Sequence, residues 1–241
     1  MSSNTWTSTE VASEARRFTG DAWRAVEAQH RSSTMALVDT LAEQAQLEAL
    51  LETSKPPIPL AARDLHWLLF TPFRYPTSKY GSRFRRPYEA GVCYVAPERR
   101  TACAELGYWR WRFLCASPSL GALEMLPQTL FQVSIATRAV DLRKPPFVLD
   151  RRCFTDPADY RYCQHFAAQA RLAAVEAIVY QSVRDPDSGA CIALMAPSAF
   201  AKRAPIAQET WNLSVTADQV VWQKSDVLAP AAFEFAVRLW N

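Results

Sequence analysis

Four stretches of the chain hold polar or charged residues where a packed interior would favour apolar ones. They are Phe73-Arg74-Tyr75, the run Gly81-Ser82-Arg83-Phe84-Arg85-Arg86, Tyr94 together with Glu105, and Gln181-Ser182-Val183-Arg184-Asp185. Arginine set among aromatic side chains suits planar, two-point binding of phosphate or carboxylate. Each such arginine taken alone is equally a surface cation or an ion-pair partner. Glu105 follows Cys103-Ala104 and precedes Leu106, so a helix there half-buries its carboxylate. That burial is costly unless the group is paired, with Arg74 or Arg100, or used in chemistry. Ser182 sits in a turn at a strand end. No G-x-S-x-G surrounds it, so it is not a hydrolase nucleophile, and a local turn cap is its simplest role.

Composition narrows how a ligand could be held. The 241 residues include only 6 glycines, where average usage would give roughly 17. No two are spaced for a dinucleotide fingerprint or a P-loop. Bound phosphate would therefore have to be gripped by side chains, and 22 of the 27 basic residues are arginine. The net charge is only +3, too weak a field to draw in nucleic acid or a membrane surface. No apolar run is long enough to span a bilayer. The opening MSSNTWTSTEVASEARR has neither a basic start nor an apolar core, so a cytoplasmic protein is expected. The 6 cysteines contain no C-x-x-C pair. Cys153, Cys163 and His165 are the nearest approach to a metal set, but small buried thiols are the simpler reading and no metal is expected.

These residues need elements to position them. Residues 1–62 read as a helical arm. Leu37, Leu41, Leu47, Leu50 and Leu51 recur near helical spacing. Asp21 is placed to cap a helix carrying Trp23 and Val26, and Ser33 or Thr34 to cap the next. Lys55-Pro56-Pro57-Ile58-Pro59 ends it. Residues 63–241 form the core domain. Strands are expected over 65–73, 91–95, 131–135, 176–180, 191–195, 212–224 and 233–240. A helix starts at Pro97, with Glu98 in its first turn, carries Glu105 and ends before Pro118; another runs from Asp156-Pro157 to about Leu172. The class is α+β.

The sequence resembles the RES-domain family, named for an arginine, a glutamate and a serine. The likeness covers about residues 63–200, through LLFTPFRYPTSKYGSRFRRPYEAGVCYVAPERRTACAEL and AIVYQSVRDPDSGACIALMAP. WRAVEAQHRSSTMALVDTLAEQAQLEALLETSKPPIP looks like the N-terminal arm of longer members. The resemblance implies an ADP-ribosyltransferase-like mixed β core. It also implies a bacterial toxin that consumes NAD+ and is paired with a small antitoxin blocking its NAD+ cleft. Carried over by motif, the family's catalytic set falls on Glu105, Arg74 and Ser182. Its NAD+ contacts fall on Arg74, Tyr75, Arg83, Tyr94 and Ser182. Arg74 and Arg83 would clamp the pyrophosphate, and Tyr75 and Tyr94 would pack on ribose or nicotinamide. Glu105 would stabilise the ribosyl cation, and Ser182 would hydrogen-bond the nicotinamide amide or the ribose. ADP-ribose would pass to a target protein, to phosphate or to water. Many members have Gly-Gly-Arg-Trp-Asn where this chain has Gly81-Ser82-Arg83-Phe84-Arg85. Two other readings stay open. Arg83-Phe84-Arg85-Arg86 and Trp109-Arg110-Trp111-Arg112 interleave basic and aromatic residues, as single-stranded nucleic-acid binders do. The arm and the tryptophans could also serve a non-enzymatic interaction protein.

Overall fold

The computed structural model describes residues 6–28, 37–75, 79–117 and 119–240. Its spine is the long strand β3 (Leu123–Asp141). Strand β1 (Arg16–Glu27) runs antiparallel to it, from Arg16 opposite Ala139 to Glu27 opposite Gln128. Ala139 also pairs with Ala177 of β4 (Ala177–Gln181), and Gln128 with Trp211 of β6 (Ala207–Val215). Both β4, parallel, and β6, antiparallel, therefore lie on the edge of β3 opposite β1. Beyond β4 come β5 (Ala190–Leu194) and β2 (Cys93–Val95); beyond β6 come β7 (Gln219–Lys224) and β8 (Ala232–Ala236). The sheet is thus mixed, and helices pack on it: an α+β fold.

One closure positions the site. The backbones of Trp23 and Ala96 exchange hydrogen bonds of 2.6 and 2.8 Å. The free edge of β1 thereby returns to the chain just past β2, so β2, β5, β4, β3 and β1 form a ring. Helix α4 (Arg99–Cys115) starts where that ring closes. It packs Ala102, Cys103, Tyr108, Trp111 and Leu114 into a core with Trp211, Trp222 and Phe166. Helix α3 (Trp67–Arg74) lays Leu68, Leu69 and Phe73 over a second core with Val133, Ile135 and Phe200. The remaining helices are α1 (Ser8–Glu14), α2 (Leu41–Ser54), α5 (Arg151–Phe154) and α6 (Arg161–Leu172). Among the described residues, no helix is long and apolar enough to cross a membrane.

The arm holds helices, but not where Asp21 suggested. Residues expected as helix after Asp21 belong to β1. Twelve consecutive pairings with β3 outweigh the helix propensity of a stretch such as Ala-Trp-Arg-Ala-Val-Glu. Helix α2 opens at Thr40, whose side chain accepts from Glu43 N while Glu43 bonds back, a capping box. The caps expected at Ser33 or Thr34 lie outside the described residues. The run 65–73, expected as a strand, is α3 with Pro72 in its last turn. A short apolar run fits either element. Here Gly91 lets the next segment pass against the Pro72 carbonyl, where a Cβ would overlap. Helix α6 starts at Arg161 rather than 156, because the Asp156 side chain accepts from Ala158 N and Asp159 N (2.9 and 2.7 Å) and holds a turn. The expected strand 212–224 is two strands, β6 and β7, joined by a turn.

Candidate active site

A cleft of about 310 Å³ opens where β1, β2, α4, the 81–83 loop and the 183–184 turn converge. Its chemistry comes from Arg24, Arg83, Arg184 and Glu105, set among Trp23, Tyr94, Trp109, Tyr160 and Tyr180. Three guanidinium groups against one carboxylate make it an anion-accepting site.

Glu105 projects from the middle of α4. Its Oε1 accepts from Ser182 Oγ at 2.6 Å and from Cys191 Sγ at 3.7 Å. Among the described residues, Oε2 has no hydrogen-bond partner. Burial pushes the Glu105 pKa up; the Ser182 hydrogen bond, then Arg83 and Arg184, pull against it. Ser182 Oγ itself accepts from Arg184 N (3.1 Å) and Asp185 N (3.0 Å). With its acceptor positions filled by backbone N–H groups, its one proton points to Glu105.

The arginines are held but not saturated. Arg83 Nη1 donates to Phe154 O (2.9 Å), and its guanidinium lies 4.5 Å from the Tyr160 ring centroid. Arg83 Nη2 is buried without a hydrogen-bond partner among the described residues. Arg24 Nη1 donates to Tyr94 O (2.9 Å), and its Nε is buried and unpartnered in the same sense. Arg184 donates to Pro157 O (2.6 Å) and stacks 3.7 Å from the Tyr108 ring centroid. Tyr94 OH meets Ser82 Oγ at 2.8 Å and accepts from Phe84 N at 3.0 Å, so it fixes the loop that carries Arg83. Gln164 Nε2 donates to Ser82 O (2.9 Å) from the other side. The departures from Gly-Gly-Arg-Trp-Asn are thereby accounted for. Ser82 supplies the Tyr94 contact, Phe84 is fully buried edge-on to Tyr180, and Arg85 turns outward to Tyr80 O.

The structure brings Arg83, Tyr94 and Glu105 together at the cleft and sets Ser182 behind Glu105. It does not bring Arg74 or Tyr75 there. Arg74 is buried elsewhere, with Nε on Pro56 O (2.8 Å) and Nη2 on Glu52 Oε1 (2.6 Å). It ties the end of α2 to α3. Tyr75 is 45% exposed at the end of α3. Ser182 donates its proton to Glu105. The residue missed in the sequence is Arg24. Its signal is a basic side chain between Trp23 and Ala25, in a segment whose helix propensity masks the strand.

The basic–aromatic runs are split between core and surface. Arg83, Phe84 and Trp111 are buried, with Trp111 Nε1 donating to Ala217 O, whereas Trp109 is exposed. Cys163 is buried against Phe154 O and Arg83, whereas Cys115 and Cys153 are exposed. Among the described residues no group of three or more His, Cys, Asp or Glu side chains could hold a metal ion.

Comparison with known proteins agrees with this architecture. The sequence model of the RES domain matches residues 58–216. No curated protein matches the chain in sequence. Among solved structures, a chain of the M. tuberculosis MbcT–MbcA toxin–antitoxin complex superposes with a TM-score of 0.51 at 11% identity. The match covers 87% of this chain and 92% of that one.

Proposed function

Because the chain belongs to the RES-domain family, we propose that it is the toxin of a toxin–antitoxin pair and that the cleft cleaves NAD+. The observation that carries this reading is one carboxylate and several under-used guanidinium groups facing one aromatic-lined cleft. A buried donor left unpaired costs about 1–3 kcal/mol. A pyrophosphate would be held by the Arg83 and Arg24 side chains that line the cleft, each with N–H groups beyond those bonded to Phe154 O and Tyr94 O. This is how a chain with six glycines takes up a dinucleotide without a glycine-rich loop.

In the reaction the bond between the nicotinamide nitrogen and ribose C1′ breaks, and its electron pair leaves with nicotinamide. The ribosyl centre becomes oxocarbenium-like. An ionised Glu105, held by Ser182, stabilises that charge where it develops. The acceptor oxygen or nitrogen then bonds C1′ and gives up its proton. Tyr94, Tyr160 and Tyr180 wall the site and exclude water. The acceptor is a target protein, phosphate or water, and mass spectrometry of the products distinguishes them. ADP-ribose 1-phosphate, ADP-ribose or a protein carrying ADP-ribose supports the reading; NAD+ intact in every arm overturns it. The proposed partner is a small antitoxin that blocks the cleft, as the paired architecture of the MbcT–MbcA complex suggests.

Arg74 takes no part in this chemistry. Arg74→Ala is expected to leave KM for NAD+ within about twofold. Hydrogen exchange over 41–56 should accelerate, because α2 has no buried residue and loses its tie to α3. A KM raised tenfold would return Arg74 to the binding site.

A further inference from the structure

We propose that Thr101 and Asp185 are positioning residues: the buried bond between them fixes the 182–189 turn so that Ser182 delivers its one proton to Glu105. This rests on the reading of Glu105 as the transition-state carboxylate. Thr101 and Glu105 are four residues apart on α4, one above the other on the same helix face. Each holds the same turn. Glu105 accepts from Ser182, and Thr101 Oγ1 donates to Asp185 Oδ2 at 2.6 Å. Both residues of the second pair are buried, at 1% and 5% exposure. Asp185 Oδ1 accepts from Asp187 N (3.1 Å), with Arg100 Nε 3.8 Å away. Gly189 closes the turn, and a Cβ there would overlap Thr101 Oγ1 and come within 2.6 Å of Asp185 Oδ2. Asp185 also supplies one of the two N–H groups that fill the acceptor positions of Ser182. The turn is therefore pinned at two points to one rigid helix, and its register decides which way the Ser182 hydroxyl points.

The charged and titratable groups that act on Glu105 come from several elements. Arg83 reaches it from the 81–83 loop, Arg184 from the turn, Cys191 from β5 and Tyr180 from β4. Arg24 of β1, Tyr94 of β2 and Tyr160 share its cleft. A change at Thr101 touches none of them directly, and of these groups Arg184 alone is carried by the turn that Thr101 pins. Loosening the turn weakens the Ser182 bond and draws Arg184 away; that bond and that guanidinium both lower the Glu105 pKa, so an upward shift is expected.

Thr101→Val keeps the shape of the side chain and removes the hydroxyl. It is expected to lower kcat about tenfold with KM for NAD+ within about twofold, and to move the acid limb of kcat to higher pH. Thr101→Ser, which keeps the hydroxyl, should restore both. A ¹³C NMR titration of the Glu105 carboxyl in the full chain reads the same shift without turnover. Absence of nicotinamide release by the unsubstituted protein would thus sink the NAD+ reading while leaving the clamp testable. An unchanged Glu105 titration in folded Thr101→Val, or a Thr101→Ser variant as impaired as Thr101→Val, overturns the proposal. Should Thr101→Val not fold, Thr101→Ala takes its place, since it too removes the hydroxyl and leaves every charge in place: the same upward shift supports the clamp, and an unchanged titration overturns it.

Discussion

Glu105→Gln is expected to cut nicotinamide release from NAD+ by about 10²–10³-fold, the usual loss when one preorganised electrostatic contact to a developing charge is removed. The substitution keeps the side chain's size and an oxygen for the Ser182 proton, so the turn and the cleft walls should stay in place. NAD+ affinity should fall far less than turnover, because positive charge builds on the ribosyl centre only toward the transition state. The pH profile follows from burial, which holds the Glu105 pKa above its ordinary 4.5. Catalysis needs the ionised form, so kcat should climb as pH rises through that elevated value. Stability runs the other way. A carboxyl with a raised pKa contributes stability fully below its unfolded value and loses it as pH rises through the folded one. Glu105→Gln should therefore be no less stable than the unsubstituted protein at neutral pH, measured as Tm. A variant that is inactive because it is unfolded would fail that comparison.

The second large effect is expected at Arg83. Arg83→Met retains an extended apolar stem but removes the guanidinium. Loss of a desolvated, hydrogen-bonded charge from a binding site typically costs about 2–5 kcal/mol, which corresponds to at least about a 30-fold rise in Kd for NAD+. Titration calorimetry in a Glu105→Gln background measures it without turnover. Arg83→Lys should rescue little, since a point charge cannot serve Phe154 O and a phosphate in one plane. Wild-type affinity in Arg83→Met would move the phosphate contacts to Arg24 and Arg184 and remove Arg83 from the site.

Glu105 was legible in the sequence because everything around it agrees. Pro97 marks the helix start, the pattern through Phe113 is helical, and a carboxylate among small apolar neighbours stands out. Arg83 was legible as part of a loop motif, although the pattern could not say that Phe84 is core and Ser82 is a Tyr94 partner. Arg24 was hidden because β1 owes its existence to β3, more than 100 residues away along the chain. No local signal in Ala-Trp-Arg-Ala-Val outweighs its helix propensity. Arg74 drew attention for a sound reason, being a buried cation beside aromatics. Its partner is Glu52 of the arm, a contact that depends on how α2 returns to α3. Ser182 is legible as the cap of its turn, and its Oγ does accept from Arg184 N and Asp185 N. Only the two N–H groups converging on its Oγ show that its proton is directed to Glu105.

Cleavage of the bond between nicotinamide and ribose in this cleft is the step from which the other expectations follow. The most direct measurement is proton NMR of NAD+ incubated with the purified chain, alone, with phosphate and with cell extract, beside Glu105→Gln under the same conditions. Free nicotinamide is expected in at least one arm with the unsubstituted protein, and its loss with Glu105→Gln. NAD+ left whole in all three arms, or nicotinamide released equally by the two proteins, would contradict it.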